Sequence, residues 1–305
     1  MLGAAAWGST GTAAHFAPAS ASSASIGAAR IAIGGSLLLI FAIARKPRRA
    51  AVRALVAGGF RSCVALVLAA VAVGGYQLAF FTAVRFTGVA TGTVVAIGSA
   101  PVFTGVLTLL TGGPRPGRRW LLATAAAITG CTVLVTAGQS AGADPAGVML
   151  ALAAGLCYAA YAVTSARLIS AGHPESAVMG LLFGGAAVVL VPVLAATSPG
   201  WLLSGRGLAT ATYLGVVTTV LAYLFYGRGL RTVPVPVAVT LGLAEPVVAA
   251  VLGLLVLSER LSLPAIVGLA LVGLALATLV GGRRSAPAPP GEAPRAPREA
   301  PEAAR

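Results

Sequence analysis

A carboxylic acid followed directly by proline, Glu245-Pro246, stands near the middle of the apolar run from Pro234 to Leu257. Of the seven acidic residues, none of the others falls inside such a run. The run is long enough to cross a bilayer. An ionised carboxylate at that depth costs roughly 3 kcal/mol on insertion scales, so a lone acid there marks a functional site by default. Pro246 lacks an N–H and leaves the Gly242 carbonyl without its helical partner, a second polar feature one turn away. A carboxyl group so placed can take up a proton when enclosed and release it to a substrate amine or to water. Its structural role would be that of a permanently protonated acid, donating to the freed carbonyl and fixing helix packing.

The other residues able to contact a solute are Trp7, Tyr76, Gln77, Tyr158, Tyr161 and Tyr223. Gln77 is the one amide well inside an apolar run, and a buried amide needs partners. By depth, Trp7 and Tyr76 fit an interfacial aromatic belt equally well. Ser99, Thr93 and Thr240 can line a cavity, or bond back to their own helices. Pro101 and Pro246 are kink positions and candidate hinges, with Gly98 and Gly242 close by to ease bending. Arg30 and Arg85 read as snorkelling residues at outer helix ends rather than as ligands for anionic groups. His15 and His173 lie near segment ends, where a lone histidine is usually wetted. Cys63, Cys131 and Cys157 sit in apolar runs at spacings that form no disulfide or metal pattern, so they read as packing residues. No metal site and no cofactor are expected.

The elements that must position these groups follow from composition. Of 305 residues, 58% are hydrophobic and 9% are charged, and the mean hydropathy is +0.94. A soluble domain would carry about 25% charged residues. The chain is therefore expected to be an all-α, multi-pass membrane protein. The net charge of +14 does not point to nucleic acid, because the basic residues fall in short clusters between apolar runs. Ten apolar segments are expected near 1–18, 26–44, 62–84, 88–110, 119–137, 146–169, 176–196, 207–229, 234–257 and 262–281. A cleaved signal peptide is the rival reading of the first, and the lack of a basic start argues against it. If Met1 is cytoplasmic and all ten cross, most arginines fall inside, among them Arg48, Arg118, Arg167, Arg228 and Arg231. Only Arg30, Arg85, Arg206 and Arg260 fall outside. That bias predicts both termini in the cytoplasm. Residues 45–61 form a basic inner loop or short surface helix. The Ala/Pro/Glu/Arg-rich stretch 283–305 is expected to be a disordered cytoplasmic tail.

The chain repeats itself. Phe103 to Leu110 follows Ala100-Pro101-Val102 as Val248 to Leu255 follows Glu245-Pro246-Val247. Phe80-Phe81 matches Phe225-Tyr226, Thr87 matches Thr232, Gly34-Gly35 matches Gly184-Gly185, and Gly130 corresponds to Gly273. Each half, 1–137 and 146–282, then holds five crossings. An odd number inverts the second half relative to the first, an architecture that places a substrate site at the midplane between the halves. Glu245 has Ala100 as its counterpart, so the two proline helices differ in the acid alone. Gly88-x-x-x-Gly92 and Gly180-x-x-x-Gly184 have the spacing for close helix contact, within one subunit or in a homodimer.

With Ala-Pro in segment four, Ala-Glu-Pro-Val in segment nine, Leu-Ser-Glu-Arg-Leu after it and Ala6-Trp7-Gly8-Ser9 in segment one, the chain resembles EamA-type members of the drug/metabolite transporter superfamily over roughly residues 3 to 282. It departs from them at Gly112-Gly113-Pro114-Arg115, where a Glu-Arg pair is often found. The resemblance implies a carrier of the inner (cytoplasmic) cell membrane that exports amino acids, amines, other metabolites or drugs. It also implies a central cavity lined by segments one, three, four, six, eight and nine. The expected function is secondary transport of a small organic solute by alternating access, with proton coupling a further expectation and the lipid bilayer as the medium. A uniporter or a lipid flippase on the same scaffold is the alternative. An intramembrane enzyme is remote, because the chain has no embedded nucleophile–base pair, carboxylate pair or metal-ligand cluster. The Gly clusters lack a following Lys-Ser/Thr, which argues against direct ATP use.

Overall fold

In a bilayer the backbone must satisfy its own hydrogen bonds, so long apolar runs become helices. The computed structural model describes residues 1–44, 46–136, 144–256 and 262–281, and among them it holds helices and no strands. In chain order the helices are α1 (Leu2–His15), α2 (Ser23–Ile43), α3 (Lys46–Val56), α4 (Phe60–Gly88), α5 (Thr91–Leu110) and α6 (Arg118–Thr136). They continue as α7 (Pro145–Ser170), α8 (Glu175–Ala196), α9 (Gly205–Leu230), α10 (Val235–Val256) and α11 (Leu263–Gly281). Eight of these are long and apolar enough to cross a membrane: α2, α4, α5 and α7 to α11. Helix α1 has 14 residues, and α6 opens on Arg118-Arg119. Helix α3 is amphipathic, burying Val52 and Leu55 and presenting Arg49 and Arg53 on its other side. The expected tail at 283–305 and the Glu259-Arg260 pair lie outside the described residues.

Local chemistry sets the helix ends. The Ser22 hydroxyl accepts from the Ser25 N–H to start α2, and Asp144 does the same for Ala146 ahead of Pro145 in α7. Gly88, at φ 80° and ψ 161°, holds a conformation that only glycine takes up readily, and it separates α4 from α5. Gly88 and Gly92 thus sit at this joint; within the subunit Gly88 faces open space, and the atoms nearest Gly92 belong to Thr87 and Val84.

Between helices in lipid the drive is close packing, and small residues permit it. The most extensive contacts join α4–α5 to α7, α2 to α8, and α6 to α11, followed by α1 with the second part of α10. Exchanging the two halves of the chain leaves this set of partners unchanged. Gly35, Gly180 and Gly184 let α2 and α8 touch at backbone distance, as Gly130 and Gly268 do for α6 and α11. Gly273, the expected counterpart of Gly130, has open space beside it. Gly155 of α7 sits against Ala96, Ser99 and Ala100 of α5, and Gly8 of α1 sits against Glu245 and Val248 of α10.

The basic residues gather at one end of the bundle. Arg228 and Arg231 pair with Glu175 at 3.9 and 3.5 Å, Arg167 donates to the Thr111 carbonyl and Arg119 to the Thr278 carbonyl. At the opposite end the Trp201 indole N–H donates to the Ser25 hydroxyl at 2.8 Å, and Arg206 reaches the Phe16 carbonyl.

Candidate functional site

Helix α10 is broken where its sequence predicts. Val235–Gly242 ends at Leu243, whose N–H turns back to the Thr240 carbonyl at 3.0 Å, and helix resumes at Ala244. The Cys131 thiol lies 3.7 Å from the Leu243 carbonyl, so a residue expected only to pack also serves the break. Glu245 follows at the start of the second piece. Its side chain is partly accessible, and among the described residues it has no hydrogen-bond or ion-pair partner.

An aromatic wall stands beside it. Tyr76 of α4 meets Tyr158 of α7 at 6.0 Å between ring centres, and Tyr158 stacks on Tyr161 at 5.2 Å. Tyr161 shares a hydroxyl hydrogen bond of 3.3 Å with Tyr223 of α9, and Trp7 of α1 lies 5.0 Å from Tyr223 and 5.4 Å from Tyr226. Gly242 leaves room for the Tyr158 hydroxyl and the Trp7 ring. A π-helical stretch, Val216–Leu221, precedes Tyr223; Thr218 and Thr219 both donate to the Leu214 carbonyl there. Such a widened turn adds a residue and rotates the helix beyond it, here the turn bearing Tyr223 and Tyr226. Trp7 is 6% exposed, which removes it from the interfacial belt and puts it in the wall.

Two cavities lie at opposite ends of the bundle. One, of about 260 Å³, begins at Met1 and Val233 and reaches Trp7, Tyr226 and Gly242. The other, of about 420 Å³, begins at Ser22, Arg85 and Thr197 and reaches Gln77. Since α1 runs from Leu2, just after Met1, to His15 and α2 starts beyond it, the mouths lie at opposite ends. Gln77 is 4% exposed and its amide nitrogen has no partner.

Other candidates fall elsewhere. Thr240 is fully buried between α10 and α6, donating to the Pro236 carbonyl at 2.9 Å while the Trp120 indole N–H and the Thr124 hydroxyl meet it at 3.1 and 3.0 Å. A hydroxyl so saturated is a structural knot. Ser99 bonds back to the Ala96 carbonyl at 3.2 Å and packs on Gly155, away from the wall. Pro101 sits in α5 without interrupting it.

One residue of the site is not legible as such in the sequence. Arg30 lies two turns inside α2 and not at its end; its Nε is buried without a partner, and its charge acts on Glu245, Tyr76 and Tyr223. The Ser22 cap, which starts the helix well ahead of Arg30, is the one signal of its depth. Arg85, in contrast, is exposed at the cavity mouth.

The fold and this site define a multi-pass helical membrane protein with a buried aromatic cluster beside an acid and a cavity toward each end of the bundle. The sequence model of the EamA-like transporter family matches residues 1–136 and 145–281, and the chain belongs to that family. It is 37% identical over 270 residues to the "Uncharacterized transporter YwfM" of Bacillus subtilis (strain 168), covering 88% of each chain. A shorter match, 34% over 123 residues and 39% of this chain, links it to 40% of the "Threonine/homoserine exporter RhtA" of Salmonella typhimurium (strain SL1344). A solved crystal structure shares the fold with a TM-score of 0.77 at 20% identity, over 93% of this chain and 96% of that one. The family, YwfM and RhtA are transporters by name.

Proposed function

We propose that this protein is a secondary transporter of the cytoplasmic membrane that exports small organic metabolites, amino acids or amines among them, by alternating access coupled to protons. The observation that carries the reading is a pair of cavities at opposite ends of the bundle, one reaching Trp7 and Tyr226 of the wall and the other reaching Gln77, next in sequence to Tyr76, with an acid that has no partner among the described residues beside that wall. Rocking of two halves would open one cavity through the wall while closing the other. In this reading all ten segments cross, residues 1–137 and 146–282 form inverted halves, and both termini face the cytoplasm. The exchange symmetry of helix partners and the basic residues at one end of the bundle support that arrangement. RhtA, by its name an exporter of threonine and homoserine, supports export of amino-acid-sized solutes.

Glu245 carries the coupling: it holds a proton or a substrate ammonium, one at a time. The test is flux of amino acids and amines in proteoliposomes, with and without a pH gradient, for wild type and Glu245→Gln. The wild type is expected to be accelerated by the gradient. Because an interaction with a charged group is worth roughly 1.5–3 kcal/mol, Glu245→Gln should lose about tenfold to a hundredfold of that driven flux. Equal rates with equal gradient dependence in both proteins would remove the coupling role, and wild-type flux that ignores the gradient would make the protein a uniporter.

A further inference from the structure

Among the described residues the buried donors without partners include the Gln77 amide nitrogen and the Arg30 Nε, besides the Trp7 indole nitrogen and the Tyr158 and Tyr226 hydroxyls of the wall. Arg30 and Gln77 sit on the neighbouring helices α2 and α4. A side chain at Gly27 would strike the Phe81 ring, so these two positions are in contact. The helices run antiparallel there, since the start of α2 and the end of α4 line one cavity mouth. Moving one turn inward from that contact goes forward to Arg30 on α2 and back to Gln77 on α4, at the same depth. Gln77 is the deepest polar group of the larger cavity, and the adjacent Tyr76 leads to the wall and to Glu245. Arg30 and Glu245 are close enough to act on each other, yet they form no ion pair. Leaving both charges unpaired in a low-dielectric core is costly, and a ligand carrying the opposite charges at its two ends relieves both at once.

We propose that Arg30 and Gln77 form the anion-binding half of the central site, taking the carboxylate of a zwitterionic α-amino acid whose ammonium group faces Glu245. A planar guanidinium with an amide N–H beside it suits a carboxylate. The proposal rests on the transport reading above and names its substrate class. It also gives the ligand a direction, carboxylate toward α2 and α4, ammonium toward α10.

The test is ligand-induced thermal stabilisation of the purified full-length protein in lipid nanodiscs. The probes are L-leucine, L-threonine and L-phenylalanine, their amides, which lack the carboxylate, and their N-acetyl derivatives, which lack the ammonium. At least one amino acid should bind, with its amide and its N-acetyl derivative each about tenfold or more weaker. Arg30→Met and Gln77→Leu should each weaken the amino acid about tenfold while leaving the amide near its wild-type affinity, so the preference collapses. Arg30→Lys should restore part of it. A merely structural Arg30 would lower stability without changing the ratio of amino acid to amide, and that result overturns the assignment. Amides binding as well as amino acids in the wild type, or no amino acid binding, also overturns it. If Arg30→Met does not fold, the wild-type comparison and Gln77→Leu still decide. Gradient-driven flux of amines without amino-acid preference would sink this proposal and leave the transport reading intact. Preference without any Glu245-dependent flux would do the reverse.

Discussion

The two proline helices of the chain, α5 and α10, carry the same break signal and treat it differently. In α5 the chain passes through Pro101 as regular helix. Thr104 and Thr108, both buried, donate to the carbonyls of Ala100 and Thr104 at 2.7 Å, and Gly155 of α7 packs against Ala96 and Ser99. Helix α10 separates at Leu243 ahead of Pro246, the Cys131 thiol reaches the Leu243 carbonyl at the break, and Glu245 follows beside the aromatic wall. A proline alone therefore does not make a site. The backbone is broken in α10, where the Cys131 thiol meets it, and stays regular in α5, where Gly155 of α7 packs closely against the turn before Pro101.

The sharpest way to break this comparison is to give α5 the acid that α10 carries. Ala100 is fully buried against α7, so Ala100→Glu should remove several kcal/mol of stability, on the order of 3–5, and yield little folded protein by size-exclusion chromatography in detergent. A well-folded variant would mean that α5 can open as α10 does. Smaller is the effect of cutting the knot beside the α10 break. Thr240→Val strands the Trp120 N–H and the Thr124 hydroxyl, which should cost about 1–3 kcal/mol of thermal stability. Substrate affinity should stay at the wild-type value, and a changed affinity would return Thr240 to the binding site. The smallest change separates the prolines themselves. Pro101→Ala in regular helix should alter stability by about 1 kcal/mol or less and keep transport. Pro246→Ala should instead straighten α10 and slow turnover, measured as proteoliposome flux at saturating substrate. Equal effects at both positions would mean that the two prolines do the same work.

Much of the arrangement is legible from residue type and order. Glu245, the break before Pro246 and the aromatic set Trp7, Tyr76, Tyr158, Tyr161 and Tyr223 stand out because polar or bulky groups are costly or rare inside apolar runs. Where the sequence leaves alternatives open, the cause is that depth along a helix does not reveal facing. Thr240 and Ser99 lie at the right depth but turn toward α6 and α7, where they are satisfied. Arg30 resembles a helix-end residue when the apolar run is started at Ile26, and its direction toward Glu245 depends on how α2 packs against α4. Cys131 gives no signal, since its bond to the Leu243 carbonyl exists only once α6 crosses α10.

By itself the sequence determined where the chain becomes helix, which helices are apolar enough to lie in a membrane, where one of them breaks and which residue there carries a charge. These are local properties, set by hydrogen-bond satisfaction in lipid and by proline's missing donor. Tertiary structure alone decided which side chains meet: the aromatic wall, the saturation of Thr240, and the burial of Arg30 and Gln77 without partners among the described residues. Those outcomes depend on helix rotation and on glycine contacts between segments far apart in the chain, and in lipid it is close packing that selects them.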